Sequence, residues 1–200
     1  LAAVVTGEPW GGRGADSSAW RLERAEQRSL SRLWGEAIDA RLAGKHTPCL
    51  ADYESTGAMR QHAGGFVTLT IDGNLRGCIG EIPSSRAFVE VVRDHALDAA
   101  FGDPRFRPLS AEEFDGISVE ISMLTPPEEV GGYEDIVLGR DGIYLIKGMR
   151  RAVYLPQVAP EQGWDLDQTL SSLARKAGLS TDAWKEGTTF ETFQAQVFHE

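Results

Sequence analysis

The stretch GGFVTLTIDGNLRGCIG, residues 64–80, predicts a β-hairpin, because two alternating apolar runs flank an Asp-Gly-Asn turn signal. Both runs face one side of the hairpin only if the turn has three residues, 72–74, since a slip of one residue turns every side chain over. The two runs are Val67, Leu69 and Ile71 in the first strand and Leu75, Gly77 and Ile79 in the second.

This register sends two side chains of the second strand, Arg76 and Cys78, to the opposite face of the hairpin. We expect Thr70 to lie opposite Arg76 and Thr68 to lie opposite Cys78. An arginine and a thiol on one polar face indicate the wall of a site rather than an ordinary packed strand.

The rest of the chain mixes helical and strand patterns. Strands joined by hairpins and interspersed with helices favour the α+β class, here a largely antiparallel sheet with flanking helices. The predicted helices cover residues 18–43, a segment that begins near Ser84 or Ser85, a short segment after the capping box at 110–113, and the segment after Trp164. The predicted strands are ISVEISML (117–124), a second hairpin that turns at Gly148-Met149, and a terminal strand over 188–200.

Composition limits the partners of this 200-residue chain. Its formal net charge of −10 and pI of about 4.9 argue against a broad phosphate-binding surface, which leaves RNA binding as a weaker alternative. The two cysteines, Cys49 and Cys78, do not resemble a secreted disulfide framework, so the cytoplasm is the expected compartment. Residues 1–17 are expected to be a flexible lead or linker, and residues 18–200 a single domain.

The run LRGCIG at 75–80, followed by AAFGDPRFRPLSAEEF at 99–114 and ISVEISMLTPPEEV at 117–130, resembles the AMMECR1 domain family. The resemblance covers roughly residues 27–199. It implies an α+β domain of a larger and a smaller lobe, whose biochemical activity is not established. It also implies Memo-like and radical-SAM proteins as partners, as in the AmmeMemoRadiSam grouping. Because some members are fused to a Memo-like domain, the start at Leu1 suits either the tail of such a fusion or a trimmed stand-alone protein.

The candidate catalytic residues are Cys78, Arg76 and Glu120. A thiol is a good nucleophile only as thiolate, which a nearby guanidinium favours, but a free cysteine is often just a small buried residue. Arg76 is expected either to clamp a substrate anion or to pair with Glu120 or Glu81. Glu120 is expected to act as a general base or arginine partner, or simply to be an exposed carboxylate.

The candidate substrate-binding residues lie around the same hairpin. Gly77 and Gly80 are expected to leave room for a ligand near the backbone. The DPRF loop, residues 103–106, is expected either to border the pocket or to form a turn in which its aspartate pairs with its arginine. These residues are Thr68, Thr70, Gly77, Gly80, Asp103 and Arg105.

No metal and no cofactor is expected, because the histidines and cysteines lack ligand spacing and no nucleotide-binding glycine motif is present. His95 is expected to be a hydrogen-bonded core residue. The favoured hypothesis is a small-molecule site beside the hairpin in an enzyme or enzyme component. The alternative is a non-catalytic accessory module that binds a Memo-like or radical-SAM partner.

Overall fold

The structure, a computed structural model, describes residues 20–53, 56–82 and 84–199. The predicted lead at 1–17 lies outside these residues. The described chain divides into two compact units, of which the first comprises residues 20–124 with 196–199 and the second Thr125–Ala195. Among the described residues, no helix combines the length and the apolar character needed to cross a membrane.

Helices and strands are mixed along the chain, and the described strand pairs are antiparallel, as is typical of an α+β protein. Short 3₁₀ turns join several of them. In chain order they are α1 (Arg24–Leu42), β1 (Gly64–Ile71), β2 (Asn74–Glu81), α2 (Phe88–Phe101), α3 (Ala111–Phe114), β3 (Ile117–Leu124), β4 (Glu128–Glu129), β5 (Gly142–Lys147), β6 (Arg150–Tyr154), α4 (Val158–Gln162), α5 (Leu166–Lys176), β7 (Thr189–Phe193) and β8 (Ala195–His199).

The first unit is built on a four-stranded sheet in the order β2-β1-β3-β8. Strand β1 pairs antiparallel with both β2 and β3. Helix α2 packs on β1 and β2, and α1 packs on α2, so one face of the sheet and both helices share a core. The residues at the centre of that core are fully buried: Leu33, Ile38, Leu69, Val92 and Ile121.

The hairpin of β1 and β2 differs from its prediction at the turn. The turn has two residues, Asp72 and Gly73, both in the left-handed region at φ 51° and 75°, and Ile71 pairs with Asn74. Such turns follow the natural twist of a hairpin, which is why Asp-Gly favours them. Because Thr70 pairs with Leu75 rather than with Arg76, the predicted three-residue turn is wrong.

A β-bulge restores the expected register beyond the turn. The pairing shifts between Leu69 and Thr70, which leaves Arg76 as an extra residue in β2. From there the strands pair as the sequence predicts, with Thr68 opposite Cys78. Leu75, which was expected in the core, lies before the bulge and is 44% exposed.

The start of α2 also differs from its prediction. The helix begins at Phe88 after the N-cap residue Ala87, not near Ser84 or Ser85. The Glu90 carboxylate accepts the Ala87 amide at 3.1 Å, so the first turn is capped from within the helix. The Ser84 hydroxyl instead donates to Glu81, which explains why the serine signal misplaced the helix start.

The second unit is a four-stranded sheet in the order β4-β7-β5-β6, packed against α5. Its β5–β6 hairpin turns at Gly148-Met149 as predicted, since Lys147 pairs with Arg150. Helix α5 begins after Asp165, whose carboxylate accepts the Gln168 amide at 2.8 Å. The buried residues of this core include Leu145, Leu170, Leu173, Trp184 and Phe190.

The predicted terminal strand is two strands in two sheets. Strand β7 belongs to the second sheet and β8 to the first. The break falls at Gln194, whose amide donates to the Thr125 hydroxyl at 2.9 Å and whose carbonyl accepts the Thr125 amide at 2.9 Å. Phe190 is buried in the core of the second unit and Phe198 in that of the first, and the apolar residues of the segment do not by themselves indicate which of the two cores each one joins.

Candidate functional site

One face of the first sheet carries polar side chains. The opposite face of the sheet is covered by α2. A Cβ built on Gly65 would meet the ring of Phe88, and one built on Gly77 would meet the carbonyl group of Ala99, so both glycines face this helix. Residues that alternate with these, such as Thr68 and Cys78, point to the other side. We call that side of β2, β1, β3 and β8 the polar face.

Four side chains form a row across the polar face. Cys78 pairs with Thr68 on the neighbouring strand, and Thr68 pairs with Glu120 on the next. The Thr68 hydroxyl donates to the Cys78 sulfur at 3.2 Å. His199 of β8 completes the row, with its Nδ1 3.6 Å from Glu120 Oε2. A half-buried thiol, hydroxyl and carboxylate and an exposed imidazole thus follow one another over four strands.

The DPRF loop holds the backbone of Cys78 from the outer edge of β2. The Asp103 carboxylate accepts the Cys78 amide at 2.9 Å, and the Arg105 guanidinium donates to the Cys78 carbonyl at 3.1 Å. Asp103 also accepts the Arg105 amide at 3.1 Å and its Nη2 at 2.7 Å. We call these two residues the DPRF clamp. The clamp provides hydrogen-bond partners for the outward-facing amide and carbonyl groups of Cys78, which would otherwise be unpaired at the edge of the sheet.

The hydrogen bonds between Asp103 and Arg105 in the DPRF clamp join two charged groups. The hydrogen bond from the Arg105 side chain, together with the Cys78 and Arg105 amides, holds the pKa of Asp103 well below its usual range although burial opposes this. The same carboxylate raises the pKa of Arg105 above its usual value. The turn in which aspartate pairs with arginine, one of the two alternatives for this loop, is therefore present; its carboxylate also fixes the position of Cys78.

Removing the negative charge of Asp103 should weaken the hydrogen bond that holds the Cys78 amide. We expect Asp103→Asn to lower the free energy of unfolding by about 2 kcal/mol, because an amide cannot accept all the donors that converge on this buried carboxylate. Amide hydrogen exchange at Cys78 should become faster than at its strand neighbours. The exposed Asp39→Asn in α1 is the control. Unchanged exchange at Cys78 in Asp103→Asn would contradict the clamp.

The Arg76 side chain forms its hydrogen bonds with residues other than those that hold Cys78. Its guanidinium donates to both Glu113 oxygens at 3.1 Å and to the Arg107 carbonyl at 2.9 Å. The hydrogen bond from Arg76 and that from the Ser110 amide lower the pKa of Glu113 to about 2. The predicted partners of Arg76 were Glu120 and Glu81, so its counter-ion was misidentified. The reason is the bulge, which removes Arg76 from the regular alternation of β2.

Gly77 and Gly80, the two glycines expected to leave room for a ligand, are packed against other parts of the protein. A Cβ on Gly77 would lie 2.0 Å from the Ala99 carbonyl oxygen of α2. On Gly80 it would lie 2.3 Å from the Gly65 carbonyl oxygen and from the Phe66 ring. These glycines are required for close packing of backbone and ring, which is a different reason from room for a ligand.

The remaining predicted residues are placed as follows. The Thr70 hydroxyl faces the Ser118 carbonyl at 3.5 Å, on the same side of the sheet as Thr68. His95 is 6% exposed and its Nδ1 lies 3.3 Å from the Asp98 carboxylate, so the prediction of a hydrogen-bonded core histidine is confirmed. Within the described residues, no group of three or more histidine, cysteine or acidic side chains is placed to hold a metal.

Sequence reasoning missed two residues of this region. Glu113 was recognised only as part of the Ser110 capping box, which is present, but the same carboxylate also binds Arg76. His199 lacks any ligand spacing in the sequence, and only the pairing of β8 beside β3 places it next to Glu120. The signal available for His199 was its position in an alternating strand, which does not identify the neighbouring strand.

The fold and the row together define a class: an α+β protein of two units, whose larger unit carries a clamped cysteine on the polar face of an antiparallel sheet. A family model described as AMMECR1 matches residues 32–198. The chain belongs to the AMMECR1 family, as the resemblance of its motifs predicted.

Known proteins from archaea support this assignment. A protein of Methanothermobacter thermautotrophicus is 41% identical over 186 residues, which cover 90% of this chain and 96% of that protein. A protein of Methanocaldococcus jannaschii is 43% identical over 190 residues, covering 90% of this chain and 93% of the relative. The crystal structure of an uncharacterized protein from Pyrococcus horikoshii matches with a TM-score of 0.75 and 37% identity, over 86% of this chain and 89% of that one. The predicted α+β fold is thereby confirmed.

Proposed function

We propose that the polar face binds a small molecule and that Cys78 is the reactive or closest protein group, so that the chain is an enzyme or an enzyme component. One observation carries the proposal: Cys78 is held on three sides, by Thr68 at its sulfur and by the DPRF clamp at its amide and carbonyl. A packing cysteine needs no such positioning, whereas a nucleophile gains from a fixed orientation.

Three members of the row, Cys78, Thr68 and Glu120, have a role in this proposal. Cys78 attacks or contacts the ligand as thiolate, and the Thr68 hydroxyl stabilises the negative sulfur by donating to it at 3.2 Å. Glu120 acts as base or orients the ligand, and Thr70 supplies a further hydroxyl on the same face. Arg76 contributes indirectly, because its bonds to Glu113 and Arg107 fix the bulge from which the Cys78 segment starts. Both cysteines are free, and we propose the cytoplasm as the compartment that keeps them reduced.

The test is the rate at which iodoacetamide labels Cys78 in the folded protein. Cys49 is exposed, so Cys49→Ala removes the competing thiol and leaves Cys78 as the reporter. We expect Cys78 to label under native conditions, and Thr68→Val to lower the rate because the thiolate loses its donor. Cys78→Ala in the Cys49→Ala background is the blank. Labelling that appears only after unfolding in urea would rule out thiol chemistry.

The alternative is the accessory module, and it rests on the family resemblance together with one structural feature. Leu75 is 44% exposed at the outer end of the LRGCIG segment, where a partner could bury it. If Cys78 does not label in the native state, binding of a Memo-like or radical-SAM partner through this hairpin becomes the better account. RNA binding is the weakest alternative, given the net charge of −10.

A further inference from the structure

The tip of the β5–β6 hairpin carries the most exposed large apolar side chain among the described residues. Met149 is 95% exposed, whereas the next two, Leu75 and Val137, are each 44% exposed. A single exposed apolar side chain is common in soluble proteins, so its surroundings decide whether it forms part of a binding surface. Methionine is flexible and polarisable, which suits its side chain to a pocket on another molecule.

Two arginines without a counter-ion follow Met149 directly. Arg150 and Arg151 are both exposed, and within the described part of the chain neither forms an ion pair. The Arg150 guanidinium lies beside the end of α5, where its Nη1 is 3.1 Å from the position of a Cβ built on Gly178. Because the whole chain carries a formal net charge of −10, the hairpin tip is a basic spot on an acidic protein.

Two lysines hold the backbone around this tip in place. The Lys147 ammonium group donates to the carbonyls of Ala183 and Glu186, both at 2.7 Å. The Lys176 ammonium group donates to the carbonyl of Val153 in β6 at 2.9 Å. Since both strands are anchored to neighbouring segments, the side chains at the tip are presented on a backbone that loses little freedom when a partner binds.

We infer that this tip, Met149 with Arg150 and Arg151, docks on a partner protein whose binding site is an apolar pocket bordered by carboxylates. Met149 fills the pocket, and the two guanidinium groups donate to the surrounding carboxylates. This docking surface belongs to the second unit and involves neither Cys78 nor the polar face, so it goes beyond the proposed function.

The charge distribution favours a protein partner over a nucleic acid or a membrane. A polyanion of either kind extends well beyond two arginines, and the net charge of −10 repels the rest of it. A protein pocket supplies a few local carboxylates, and charges more than about 8–10 Å away are largely screened by salt. Methionine and arginine are also both enriched in protein interfaces.

A displayed library of random short peptides, selected on the full chain, tests the inference. We expect the enriched peptides to combine an aromatic or aliphatic residue with flanking aspartate or glutamate. The affinity of the tightest peptide, measured by fluorescence anisotropy, should fall as salt is added. Met149→Gln should lower this affinity at least about tenfold because the apolar contact is lost. Combining Arg150→Glu with Arg151→Glu should abolish binding, because both arginines then repel the acidic peptide.

A second pair of arginines supplies the matched control. Arg24 and Arg28 are exposed on α1, and Arg24→Glu combined with Arg28→Glu changes the net charge by the same amount as the double variant at the tip. The control should leave the affinity for the selected peptide nearly unchanged. Met149→Gln keeps the net charge and alters a side chain that is 95% exposed, so we expect it to fold like the parent protein. Circular dichroism checks the fold of every variant.

Two results would overturn the inference: a selection without acidic enrichment, or peptides that bind Met149→Gln as tightly as the parent protein. A single-stranded RNA oligonucleotide and phosphatidylserine vesicles are tested in parallel. If either of them binds through the tip and no peptide does, the partner is not a protein and the inference fails. If the double arginine variant does not fold, Met149→Gln and the salt dependence decide. The labelling of Cys78 is a separate measurement, so failure here leaves the proposed function standing.

Discussion

Replacing Gly77 with alanine is expected to lower the free energy of unfolding by about 3 kcal/mol or more, at the upper end of the range for overpacked cores. The added Cβ would lie 2.0 Å from the Ala99 carbonyl oxygen and 2.9 Å from its carbonyl carbon. Both atoms belong to the backbone of α2, so relief requires the helix to move away from β2. That movement opens the core that Val67, Leu69 and Val92 share.

Gly35→Ala is the matched control for this substitution. Gly35 lies inside α1, and a Cβ there would meet no other atom within 4 Å. Alanine at this position should stabilise the helix by about 0.5–1 kcal/mol, because it lowers the conformational entropy of the unfolded chain. Chemical unfolding of both variants measures the contrast. A loss below about 1 kcal/mol for Gly77→Ala would show that α2 shifts easily and that the glycine is not required for packing.

Replacing Glu113 with glutamine is expected to cost about 3 kcal/mol, because it leaves the buried guanidinium of Arg76 without its counter-ion. The Arg76 side chain is only 10% exposed, and one of its nitrogens, Nη1, is already without a hydrogen-bond partner. Glutamine keeps an oxygen that can accept the Ser110 amide, so the capping box of α3 survives and the change isolates the charge.

Two further variants identify the cause of this loss. Glu112→Gln changes the neighbouring exposed carboxylate and should alter stability by less than about 0.5 kcal/mol. Adding Arg76→Met to Glu113→Gln should recover much of the loss, because the uncompensated charge is then gone. A double variant as unstable as Glu113→Gln alone would show that the ion pair does not determine the effect.

The pH dependence of the same variant follows from the lowered pKa of Glu113. The folded-state pKa is about 2 against a reference value of 4.5, so the carboxylate stabilises the folded state fully above the reference value. This contribution is lost as pH falls from about 4.5 towards 2. The stability difference between the parent protein and Glu113→Gln should therefore shrink over this interval. Urea unfolding at a series of pH values measures it, and a constant difference down to pH 2 would exclude the charge as its source.

The outline of the site was predictable from local pattern. Alternation in β1 and β2 placed Thr68 opposite Cys78, because that pairing depends only on how many residues separate the two strands. Serine and glutamate at 110 and 113 correctly predicted the capping box of α3. The motifs around LRGCIG and DPRF were enough to predict the AMMECR1 family.

The partner of Arg76 was not predictable, for a geometric reason. A three-residue turn, or a two-residue turn followed by a bulge, gives the same pairing from Leu69 onwards, so the alternating pattern cannot locate the extra residue. The bulge takes Arg76 out of the alternation. Its counter-ion Glu113 lies 37 positions away along the chain. Local spacing carries no information about such a contact.

The sequence by itself determined the α+β class, the family and the pairing of Thr68 with Cys78, because each depends on patterns within a strand, a helix or a short motif. The tertiary structure alone decided the rest. It packed Ala99 of α2 against Gly77, divided the terminal alternating segment at Gln194 and brought His199 beside Glu120. All three depend on which distant segments become neighbours, a choice made by burial of the shared core rather than by periodicity along the chain.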